Sequence, residues 1–81
     1  MAATKEDIRG WLWRGSEQKS THVILAVDTW DHEDYPVFVS AQESVHKKVN
    51  SYDGKHDRIM EVYNLSMDIE EQLRQTRVWN L

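Results

Sequence analysis

The sequence predicts a single α+β domain spanning residues 1–81, of order α-β-β-α-β-α. Its three-stranded antiparallel sheet, order 2-1-3, packs with short helices. Three observations predict this. The apolar, β-branched run His22 to Thr29 is separated by a polar stretch from a second run, Pro36 to Ser40, as a hairpin requires. A helical pattern then separates that run from a third, Arg58 to Leu65. Hairpin neighbours are antiparallel, and a strand–helix–strand crossover returns the third strand parallel to the second. The most apolar strand, the first, belongs in the middle.

Each element has a local cause. Thr4-Lys5-Glu6-Asp7 has capping-box spacing, and Ile8, Trp11 and Leu12 follow on one helical face. Gly15 is expected to stop that helix in a left-handed conformation, giving a first helix over residues 5–14. "GSEQKST" is a polar loop. "HVILAVDT" reads as a strand covered on both faces. Pro36, which has no N–H, suits the start or the edge of the second strand, "PVFVS". Ser40-Ala41-Gln42-Glu43 is a second capping box, and Ala41, Val45, Val49 and Tyr52 form a stripe closed by Asp53-Gly54. "RIMEVYNL" reads as a strand from its alternation, with a short helix as the alternative. Ser66, Asp68 and Glu70 mark a last helix with Ile69 and Leu73 inside and Arg74 and Arg77 in its final turns. The tail "VWNL" is apolar and is expected to dock on something. Ile24, Ala26 and Phe38 are expected on a sheet face closed by the first helix, the tail or a second subunit.

Composition excludes several classes. There is no cysteine, hence no disulfide framework and no thiolate zinc site. No apolar run approaches the ~20 residues that span a bilayer, and no signal-peptide pattern opens the chain, so a cytoplasmic, non-membrane protein is expected. A net charge of -4 argues against a nucleic-acid partner. Four tryptophans in 81 residues is the unusual number, because tryptophan is enriched at interaction hot spots as well as in cores. A chain this short also buries a thin core, which favours a homo-oligomer.

Two groups of residues could carry function. Asp28, Asp31, His32, Glu33 and Asp34 crowd the connection between the first two strands, flanked by Trp30 and Tyr35. Carboxylates suit a hard cation, yet the glycine and the terminal glutamate of a calcium loop are missing. A soluble turn is the plain alternative, and a recognition loop the functional one. No metal or cofactor is assigned. On the first helix, Trp13 lies ~140° from Ile8, on the side of Arg9 and near Arg14. An aromatic beside two guanidiniums can stack on a planar ligand and meet its phosphates; packing on the sheet is the plain alternative. Met60 and Met67 read as packing residues. His22, His32, His46 and His56 have no evident acid–base partner, with His46 on the surface and His56 in a turn. No phosphate loop, H-E-x-x-H or nucleophile elbow is present.

Through "THVILAVDTWDHEDYPVFV" and on to "MEVYNLS", above all in the run from Asp28 to Pro36, the chain resembles small uncharacterised proteins encoded in bacteriophage genomes. The resemblance implies an accessory viral protein in a bacterial cytoplasm. Such proteins bind and block a host component, or sequester a nucleotide signal used in defence. The leading expectation is a non-enzymatic binding protein with a protein partner. A nucleotide sponge built on Arg9, Trp13 and Arg14 and a metal-dependent hydrolase using the acidic loop are the alternatives.

Overall fold

Successive residues of the central strand point into two different cores, and this sets the layers. The computed structural model describes residues 3–52 and 57–81. Its elements are α1 (Lys5–Glu17), β1 (His22–Asp28), β2 (Glu33–Val39), α2 (Val45–Tyr52), β3 (Asp57–Asn64) and α3 (Ile69–Arg74). The sheet order is β2-β1-β3, with β1 antiparallel to both neighbours, as the chain rules predict.

Ile24 and Ala26 join Val37, Val39, Ile59 and Val62 under Val45 and Val49 of α2. Val23 and Leu25 join Ile8, Leu12, Tyr63, Leu73 and Val78 on the other side, under α1, α3 and the tail. Phe38 packs on this second side, so Ile24 and Ala26 do not share a face with it as expected. Both sheet faces are thus covered by the chain's own elements, and no second subunit is needed to close either.

Helix α1 opens with the expected capping box: the Asp7 amide donates to Thr4 Oγ1 at 3.1 Å, and the Thr4 amide to Asp7 Oδ2 at 3.0 Å. It does not stop at Gly15. The helix runs on to Glu17, and the left-handed residue is Lys19, φ 62°. Gly15 is buried, and a Cβ there would lie 2.7 Å from Val23 and 3.0 Å from Leu65. Its role is close approach of helix to sheet, not chain reversal.

Helix α2 also begins later than its capping pattern predicts. The Ser40 amide does donate to Glu43 Oε1 at 3.0 Å, but these residues form a separate turn. Val45 starts the helix, with the Lys47 amide donating to Ser44 Oγ at 3.4 Å. Ala41 is exposed and outside the stripe. The proposed stop at Asp53-Gly54, like His56, lies outside the described residues. Helix α3 is capped by Asp68, which accepts from the Glu71 amide at 3.1 Å, and it ends at Arg74 before reaching Arg77.

β3 is a strand, with an irregularity that hides its alternation. Leu25 pairs with Glu61 but Ala26 with Ile59, so Met60 is an extra residue at a bulge. Ile59 and Val62, three apart, therefore face the same core, and Met60 is left exposed. Beyond β3, the tail forms a rudimentary fourth strand. Trp79 bridges Val62 in parallel, with Val62 N–H donating to the Val78 carbonyl and Asn80 N–H to the Val62 carbonyl, each at 2.9 Å. The surface on which "VWNL" docks is thus the chain's own β3 edge.

Gln72 explains the next stretch of that edge. Its side chain is buried, accepts from the Asn64 amide and donates to the Asn64 carbonyl, both at 2.9 Å. One side-chain amide thus substitutes for a strand residue. Its remaining lone pair and proton meet Asn80 Nδ2 and the Asp68 carbonyl.

Candidate functional site

The β1–β2 connection is shorter than its polar composition suggests. Asp28 pairs with Glu33, so only residues 29–32 form the loop, and Glu33, Asp34 and Tyr35 belong to β2. Two contacts fix the turn. The Trp30 amide donates to Asp28 Oδ1 at 2.8 Å, and the His32 amide donates to the Asp28 carbonyl at 2.7 Å. His32 is left-handed, φ 57°, a conformation that closes the turn at some cost for a residue with a Cβ. Trp30 is 74% exposed at the tip, beside exposed Asp31.

Strand alternation then sorts the remaining acids. Asp34 turns to the α1 side, where its Oδ2 accepts from the Ala3 amide at 2.8 Å. It ties down the chain's start and is not part of the tip. Glu33 and Tyr35 face the α2 side. Here register adds a residue that sequence reasoning missed. Glu33 pairs with Asp28, and Asp28 pairs with Asp57, so three carboxylates stand side by side across three strands. Directly opposed like charges are ~5 Å apart at their Cβ atoms and repel. Regular register from the Leu25–Glu61 pair would set Arg58 opposite Asp28; the bulge at Met60 brings Asp57 there instead, so sheet order alone does not reveal it.

Tyr35 borders this row. Burial, and then its hydrogen bond to the Asp57 carboxylate, raise the Tyr35 hydroxyl well above its ordinary pKa. It is a neutral donor throughout the physiological range. The end of the sheet therefore presents Asp28, Glu33 and Asp57 in a row, with Asp31, His32 and Trp30 at the tip. The carboxylates are spread along a line, and among the described residues no three His, Asp or Glu side chains form a group that could hold a metal ion.

The α1 residues are arranged differently. Trp13 is 55% exposed and lies one turn beyond Arg9. Arg9 Nε and Nη2 donate to Glu70 Oε2 and Oε1 at 3.0 and 2.9 Å, and Nη1 pairs with Glu6. That bidentate pair joins α1 to α3; it raises the Arg9 pKa and lowers that of Glu70. A phosphate approaching Arg9 would meet two carboxylates first. Arg14 is exposed in the last turn of α1, where its charge complements the helix dipole. Trp79, Met60 and Met67 are also part-exposed; the methionines are not the core packing residues expected.

His22 and His46 lie away from both groups. His22 Nδ1 is 2.9 Å from Thr21 Oγ1 and its Nε2 is 3.2 Å from the Leu81 backbone oxygen, at the opposite end of β1 from the tip. His46 is exposed on α2, as expected. An open groove of ≈ 460 Å³ beside His22 is lined by side chains such as Ser16, Ser20, Asn64 and Ser66, with no ionised carboxylate or ammonium group. No helix in the described residues is long and apolar enough to cross a membrane. Comparison with family models, curated proteins and solved structures finds no match to this chain.

Proposed function

We propose that the protein is a non-enzymatic binding module whose acidic sheet end docks on a basic surface of a partner protein. The observation that carries this is the in-register row Glu33-Asp28-Asp57 beneath an exposed Trp30. Side-by-side carboxylates cost stability, and Trp30 leaves most of its indole exposed at the tip. Both are matched by one kind of ligand. Lys or Arg side chains neutralise the row and stack on the indole, at ~0.5–2 kcal/mol for a cation on an aromatic face. Asp31, His32 and Glu33 complete the contact, with Tyr35 bordering it; Asp34 serves to hold the chain's start. On the resemblance to phage proteins, the partner would be a bacterial host protein and the action inhibition by occupancy.

Fluorescence anisotropy with a labelled Lys/Arg-rich peptide tests this, against neutral and acidic peptides of equal length. Binding of the basic peptide alone, weakening as salt rises, is expected. Trp30→Ala combined with Asp31→Asn should weaken it about tenfold, ~1.4 kcal/mol. Equal binding of all three peptides, or no effect of the double change, would remove the acidic end from the mechanism. A thermal-shift panel of mono- and cyclic nucleotides should stay flat; a specific upward shift would favour the Arg9, Trp13, Arg14 surface instead.

A further inference from the structure

The two outer edges of the sheet are protected in different ways. On β2, the ladder alternation points the ring nitrogen of Pro36 outward, so the open edge is blunted by a residue that cannot donate. β3 has no such residue. Its edge is covered by the tail and by Gln72.

The tail is seated as a bound peptide would be. Val78 is fully buried among Tyr63, Leu73 and Ile8, while its neighbour Trp79 faces out, 46% exposed. Two backbone hydrogen bonds flank Val62, the Val78 amide donates to Glu61 Oε2 at 3.2 Å, and Asn80 Nδ2 donates to Gln72 Oε1 at 3.0 Å. Glu61 is itself positioned by the Tyr63 hydroxyl, which donates to Oε1 at 2.6 Å. Apart from that Tyr63–Glu61 bond, each of these joins tail to body. None requires that the tail belong to the same copy.

The link between α3 and the tail is exposed and bends at residues 75–77. Residues 75–77 are exposed, and Gln75 has φ -74° and ψ 147°. Among the described residues its hydrogen bonds are Gln75 N–H to the Gln72 carbonyl and Lys5 Nζ to the Gln75 carbonyl at 3.5 Å. We propose that the β3 edge, with its Val78 pocket and Gln72 amide, is a strand-acceptor groove that also takes the tail of a second copy of this chain. The product is a reciprocal, tail-exchanged dimer. At low concentration the tethered tail wins, because a short tether gives it an effective concentration in the millimolar range.

Shortening the link tests this. Deleting Thr76 and Arg77 removes ~7 Å of reach and denies the tail its own groove. Sedimentation at micromolar concentration should then show a dimer that excess synthetic peptide Gln75–Leu81 converts to monomer. A folded monomer, or a dimer indifferent to the peptide, would overturn the proposal. Should the shortened chain fail to fold, the full-length Val78→Ala chain decides. Its labelled Val62 amide resonance should move toward the wild-type position as the same peptide is added, and an unmoved resonance at millimolar peptide would overturn the proposal.

Discussion

Gly10 and Gly15 occupy the same helix and should respond oppositely to the same change. A Cβ at Gly10 meets nothing within 4 Å, so Gly10→Ala gains helix propensity, ~0.5–1 kcal/mol. At Gly15 the Cβ would press on Val23, Leu65 and Phe38 at 2.7, 3.0 and 3.3 Å. Val23 is a β-branched core residue and cannot swing aside. Overpacking of ~1–3 kcal/mol outweighs the propensity gain, and Gly15→Ala should lower Tm by several degrees while Gly10→Ala raises it. Thermal melts of the two variants check both signs. Gln72→Leu is the sharper residue-scale test, since it strips two partners from the Asn64 backbone. Each orphaned group costs ~1–3 kcal/mol, so a loss of about 2–6 kcal/mol in urea unfolding is expected.

At the scale of elements, the carboxylate row sets strand pairing against charge. Asp28→Asn keeps the acceptor for the Trp30 amide and deletes the middle charge of the row. It should stabilise the fold by ~0.5 kcal/mol at low salt, and the gain should shrink at high salt as screening replaces the mutation. The turn before α2 makes a separate, acid-sensitive contribution. Lys48, and then the Ser40 amide, hold the Glu43 carboxyl down at about 2. A carboxyl with a lower pKa folded than unfolded adds stability above its unfolded value and loses it as pH falls toward the folded one. Glu43→Gln should therefore lower Tm at neutral pH. The gap should narrow as pH drops from the ordinary glutamate range, ~4–4.5, toward about 2. The group is exposed, so the gap is small.

For the whole molecule, topology was legible because hairpin and crossover rules leave few alternatives once strand hydrophobicity is known. What escaped the sequence are contacts that break its periodicities. The Met60 bulge shifts Ile59 and Val62 onto one face, so strict alternation misassigns β3. Gly15 reads as a stop because glycine's use in close packing leaves the same local trace as its use in turns. Gln72, polar in a pattern that favours apolar residues inside, gave no signal of burial; its partners are backbone atoms eight residues away. The acidic end is half visible in the sequence: four acids and one imidazole crowd the connection, but Asp57 joins them only through the sheet, and Asp34 leaves them by facing the other way.

The most direct measurement is an amide-shift map of the labelled protein during titration with the Lys/Arg-rich peptide. Docking at the acidic end predicts shifts at Asp28, Trp30 to Glu33 and Asp57, with α1 unmoved. Shifts centred on Arg9, Trp13 and Arg14, or none that saturate, would contradict it.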